Sequence, residues 1–246
     1  MLKYFAVLLL ALAGAAHAAV DQAQPVLQTD LALSYLAQVD DSIPDKPLVI
    51  FLHGSGTNEE DLFGLKDELP AEYNYLSVRG PLTQQEGAYR WFASRPDAAE
   101  YDGVSADLQR SNELLGQFIA QATEKYHTQP RKVFLIGFSQ GAIMSYEVAL
   151  RHPELVGGIA VLSGKVLSVL QQELKADNSR QSLAIFIGHG SLDPVLPASS
   201  ASGARVVLET LGLNPDYHLY EGMRHTINNT EMNDLNAWLQ RAASRP

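Results

Sequence analysis

The stretch Val133-Phe134-Leu135-Ile136-Gly137-Phe138-Ser139-Gln140-Gly141-Ala142 decides how the rest of the chain is read. Its opening run is apolar and bounded by glycine, as a buried strand requires, and the residues from Gln140 to Arg151 carry a helical pattern. A strand that turns sharply into a helix lifts the serine at the turn clear of the backbone. Small residues are needed two positions to either side, because the turn brings strand and helix too close for a Cβ. Gly-x-Ser-x-Gly alone is a weak signal. Its position between strand and helix gives it weight.

Working outward, further apolar runs at Leu48 to Leu52, Tyr75 to Val78, Ile159 to Leu162 and Leu183 to Ile187 read as buried strands, with a shorter one at Asp216 to Tyr220. Helical patterns lie between them. Thr57-x-x-Glu60 is a capping box that would open a helix over Asn58 to Leu69. Val104, Leu108, Leu115, Ile119 and Tyr126 recur at intervals of four and seven. Ala198 to Leu211 and Ile227 to Ala243 complete the set. Such alternation predicts one α/β domain, with a mostly parallel central sheet, helices on both faces and ligands at the carboxyl ends of the strands. Residues 79 to 104 fit no element. They concentrate Tyr89, Arg90, Trp91 and Phe92, and read as an ordered loop near the site. Trp91 and Phe92 are then either pocket walls or pins holding the loop to the core.

A serine hydroxyl needs a histidine to take its proton and a carboxylate to orient that histidine. His225 lies in the loop between the last strand and the last helix. Asp193 follows the strand ending at Ile187, in His189-Gly190-Ser191-Leu192-Asp193-Pro194. Ser139, Asp193 and His225 are spaced by 54 and 32 residues, in the order Ser, Asp, His of the α/β-hydrolases. Asp216 and Asp234 are weaker acids, one in a strand and one in a helix. The oxyanion of a tetrahedral intermediate needs two backbone N–H groups. That of Gln140 opens its helix, where the dipole favours negative charge. The second is expected from the turn His53-Gly54-Ser55-Gly56, at Ser55. A histidine base must be neutral to act, so activity is expected to rise with pH through neutrality.

Composition narrows the function further. The 246 residues carry 18 Lys and Arg against 28 Asp and Glu, a net charge of −10, with no basic run that could follow a phosphate backbone. No nucleic-acid partner is expected. With no cysteine there can be no thiol nucleophile, thiolate metal site, Fe–S cluster or disulfide. No close His-x-x-x-His pair suggests a metal, and the chemistry above needs no cofactor. At the amino end, Lys3, the 13 uncharged residues Tyr4 to Ala16 and the small-x-small triplet Ala16-His17-Ala18 read as a signal peptide over residues 1–18. The run is shorter than a membrane span. Residues 19–246 are therefore expected to form an exported hydrolase domain, periplasmic or secreted, with no transmembrane anchor.

Four segments together resemble the phospholipase/carboxylesterase branch of the α/β-hydrolases, which includes acyl-protein thioesterases. They are Leu52-His53-Gly54-Ser55-Gly56, Gly137-Phe138-Ser139-Gln140-Gly141-Ala142, His189-Gly190-x-x-Asp193-Pro194-Val195-x-Pro197 and Gly222-Met223-x-His225-Thr226-Ile227. The resemblance implies triad roles for Ser139, Asp193 and His225, an oxyanion hole from the N–H groups of Ser55 and Gln140, and an acyl pocket bordered by Val195. Two features depart from the family: Arg224 replaces a usually small residue beside the histidine, and many members are cytosolic. The expected activity is cleavage of carboxylic esters with short to medium acyl chains. A lysophospholipase or a thioesterase is the alternative enzyme, and a binding module on a hydrolase fold the alternative of another class.

Overall fold

A computed structural model describes residues 25–98 and 101–245. The expected signal peptide, residues 1–18, lies outside the described residues. Among them, no helix is long and apolar enough to cross a membrane.

The sheet grows from apolar runs that are buried along their length in its interior and partly exposed at its two edges. Strand β1 is Tyr35–Gln38, β2 Leu48–Leu52 and β3 Asn74–Val78. Later come β6 Val133–Phe138, β7 Gly158–Leu162, β8 Ala184–Gly190 and β9 Asp216–Tyr220. These seven pair in the order β1-β3-β2-β6-β7-β8-β9, parallel throughout except for antiparallel β1. A small hairpin, β4 Leu82–Gln85 and β5 Ala88–Arg90, stands apart. The helices are α1 Ser105–Lys125, α2 Gln140–Arg151, α3 Ser168–Glu173, α4 Ser199–Thr210 and α5 Asn229–Ala243.

Because both faces of the sheet are covered, its strands are apolar on both sides, and alternate residues feed two cores. Leu48, Ile50 and Leu52 of β2 join Leu115, Phe118 and Ile119 of α1 and Ile143 and Val148 of α2. Val49 and Phe51 join Met232, Leu235, Trp238 and Leu239 of α5. Each such side chain stabilises by about 1.5–3 kcal/mol on full burial. The expected α/β-hydrolase architecture is present. Winding reverses at β2, whose neighbours are β3 on one side and β6 on the other. An open α/β sheet places its ligand crevice at such a reversal.

Two local expectations fail. Thr57 caps no helix. It bridges to Tyr89, its hydroxyl bonds the Gly54 carbonyl at 3.0 Å, and only a 3-10 turn forms, over Phe63–Glu68. Residues 79–104 are not wholly irregular, since they contain β4 and β5.

Candidate active site

Ser139 sits between the last residue of β6 and the first of α2, with φ 55° and ψ −115°. This is a sparsely populated conformation for a residue with a side chain, of the kind concentrated at functional sites. The glycines around it allow the turn. A Cβ on Gly137 would run into the Gly141 carbonyl, and one on Gly141 into the Leu52 carbonyl at the end of β2. The turn after β2 lies alongside, so that a Cβ on Gly54 would be 3.5 Å from Ser139 Cβ.

The structure brings the three predicted side chains together. His225 Nε2 is 3.0 Å from Ser139 Oγ, and His225 Nδ1 is 2.6 Å from Asp193 Oδ2. The imidazole rests on Phe138, with ring centroids 4.8 Å apart. Asp193 is itself anchored, since Oδ1 accepts the N–H groups of Val195 at 2.8 Å and Leu196 at 3.0 Å. Burial opposes ionisation of this carboxyl, but the hydrogen bonds from His225, Leu196 and Val195 outweigh it and hold Asp193 below the ordinary carboxylate range. Asp216 and Asp234 flank a different histidine, His218, at 2.9 and 3.5 Å.

Of the oxyanion candidates, Gln140 opens α2, where first-turn N–H groups lack a carbonyl one turn earlier. Ser55 lies exposed in the turn beside Ser139, its hydroxyl 3.3 Å from Gln84 Oε1 in β4. Val195 is half exposed and lines a cleft of about 620 Å³ with Tyr101, Lys165, Val166, Leu196 and Pro197. Trp91 and Phe92 sit inward from the site. Both are fully buried and packed with the α1 and α2 core, so they pin their segment down. Among the described residues, no three His, Asp or Glu side chains converge in a way that could hold a metal.

Two histidines support the site in ways the sequence did not disclose. His53 Nε2 accepts the Gly80 N–H at 2.9 Å, which leaves the proton on Nδ1, 2.6 Å from the Gly54 carbonyl. His189 Nε2 donates to the Leu196 carbonyl at 2.8 Å and so fastens the loop carrying Asp193. Burial makes both harder to protonate. Their only sequence signal was a position before glycine at a strand end.

Comparison with known proteins identifies the family. The phospholipase/carboxylesterase family model matches residues 35–243. The chain is similar to acyl-protein thioesterase 1 of Saccharomyces cerevisiae, 27% identical over 218 residues that cover 82% of this chain and 95% of the relative. It is similar to carboxylesterase SOBER1 of Arabidopsis thaliana, 29% identical over 212 residues, covering 80% and 90%. Among solved structures, the Bacillus cereus carboxylesterase superposes with a TM-score of 0.73 at 25% identity, covering 85% of this chain and 94% of that one. With a match running from β1 to the end of α5, the chain belongs to the phospholipase/carboxylesterase family, hydrolases of the carboxylesterase and acyl-protein thioesterase type.

Proposed function

We propose that this chain cleaves carboxylic esters of short to medium acyl length through a Ser139, His225, Asp193 triad and an acyl-enzyme. The unbroken relay from Asp193 Oδ2 through His225 to Ser139 Oγ, with contacts of 2.6 and 3.0 Å, carries the reading. Ser139 Oγ attacks the ester carbonyl as its proton passes to His225 Nε2. The oxyanion takes the N–H groups of Ser55 and Gln140. Collapse breaks the bond to the alcohol oxygen, which leaves with the proton from His225. Water then repeats the sequence on the acyl-enzyme, releasing the acid and restoring Ser139. No cofactor enters any step.

The thioesterase reading stands beside it because of the names carried by the yeast relative and others. The test is hydrolysis of a nitrophenyl ester series, acetate to dodecanoate, and a matched thioester by the wild type and by Ser139→Ala. Turnover lost by roughly 10³-fold or more in Ser139→Ala supports the triad, and the ester-to-thioester ratio chooses between the two substrate classes. Folded wild-type protein that neither turns over nor labels with a fluorophosphonate would instead be a binding module. We also propose export with removal of residues 1–18; an intact mass beginning at Met1 in protein from the cell envelope would refute it.

A further inference from the structure

The two N–H groups assigned to the oxyanion come from separate parts of the chain, the turn after β2 and the first residue of α2. Their spacing must be held by something that touches both, and Trp91 does. Its indole Nε1–H donates to the His53 carbonyl at 2.9 Å, two residues before Ser55. Its backbone N–H donates to Gln140 Oε1 at 3.0 Å. The Gln140 amide is fixed in orientation, because Nε2 donates to the Phe92 carbonyl at 3.0 Å and to the Tyr101 hydroxyl at 3.0 Å. An amide flip would lose the bonds to both Trp91 and Phe92.

The hairpin that runs into Trp91 grips the same turn a second time. Gly56 N–H donates to the Tyr89 carbonyl at 2.8 Å, and Tyr89 N–H donates to the Thr57 carbonyl at 2.7 Å. Trp91 is fully buried, its indole 5.6 Å from the His53 ring, so neither arm can slide without disturbing it. A hydrogen bond that must be ready before the oxyanion forms is sensitive to such placement: misplacement by about 1 Å can cost roughly 10²-fold in rate.

We propose that Trp91 is the positioning residue of the oxyanion hole, setting the distance between the Ser55 and Gln140 N–H groups through one hydrogen bond to each arm. The proposal rests on the esterase reading above. Replacing Trp91 by benzothienylalanine, which exchanges the indole N–H for sulfur at nearly constant shape, and by Phe should lower kcat roughly 10-fold while KM stays within about twofold. Affinity for a trifluoromethyl ketone, whose adduct with Ser139 places an oxyanion in the same hole, should fall by the same factor as kcat/KM. Gln140→Met cuts the other arm and should produce a similar loss. The double variant Trp91→Phe/Gln140→Met should be little worse than either single change, because both act through one spacing. Trp238→Phe in the opposite core, where the indole packs on Phe134 and Phe186, should lower Tm without changing kcat or ketone affinity. The clamp is overturned if the Trp91 variants keep kcat and ketone affinity within about twofold of a wild type that Ser139→Ala inactivates. It is also overturned if they lose no more than Trp238→Phe at an equal fall in Tm. Should the Trp91 variants not fold, unchanged kcat and ketone affinity in Gln140→Met overturns it. A wild type inert toward esters and fluorophosphonate overturns the esterase reading and the clamp with it.

Discussion

Asp193 divides its carboxylate between two tasks, and the division predicts what its amide would do. Oδ1 is held by the N–H groups of Val195 and Leu196, so in Asp193→Asn the amide oxygen must stay there and the NH₂ must face His225. His225 Nδ1 then has to accept, which puts the ring proton on Nε2 and leaves no lone pair for Ser139. We expect kcat to fall by roughly 10³- to 10⁴-fold with KM and Tm little changed. A loss below tenfold, read from steady-state kinetics on folded protein, would place the orienting role on another group. The grouping of Ser139, Asp193 and His225 was legible because order and loop position allow few solutions. The tasks of His53, His189 and the Gln140 side chain were not, because each depends on a backbone group that no local sequence pattern places against it.

At the scale of elements, the strand, turn and helix around Ser139 is a tightly constrained piece of backbone. In Gly141→Ala the new methyl would collide with the Leu52 carbonyl and crowd that of His53, neither of which can rotate away. α2 must therefore back off from β2, carrying the Gln140 N–H with it. A stability loss of about 1–3 kcal/mol, as for overpacking elsewhere, should appear as a lower denaturant midpoint, together with a fall in kcat. Retained kcat would mean that the turn tolerates widening. The long parallel strands and α2 were legible because continuous apolar runs and the Gly-x-Ser-x-Gly boundary admit one reading. The β4–β5 hairpin was not. Leu82-Thr-Gln-Gln lacks an apolar face, and its register shifts between Thr83 and Gln85, so only the turn residue Gly87, with φ 73°, marked it. The capping-box pattern at Thr57 was overridden by this same hairpin, because the bridge to Tyr89 took the residue that would have capped a helix. Trp91 and Phe92 followed: once β5 is in place, the segment runs into the core.

For the whole molecule, three buried groups set opposing limits on pH stability. His53 and His189 resist protonation through burial, so the stability tied to their neutral forms is complete above the ordinary histidine value of 6.5 and is lost as pH falls below it. Glu231, in the first turn of α5, acts the other way. Both its carboxylate oxygens are buried without a hydrogen-bond partner, against the bare Cα of Gly188 in β8, where any Cβ would strike Oε1. Burial, aided by the charge of Asp234, pushes this carboxyl up to about 8 from an ordinary 4.5. Its neutral form favours folding, so the stability it supports is complete below pH 4.5 and drains away as pH rises toward 8. Below 6.5 the two histidines work against the glutamate; above 6.5, of these three groups, only the glutamate still titrates. Stability should peak near pH 6.5 and then decline by about 2 kcal/mol up to pH 8, or roughly 4–8 °C in Tm for a domain of this size. Glu231→Gln should flatten the curve above pH 6.5 and leave the acid limb intact, as read by calorimetry from pH 4 to 9. Parallel curves for variant and wild type between 6.5 and 8.5 would show that Glu231 is not the group that titrates.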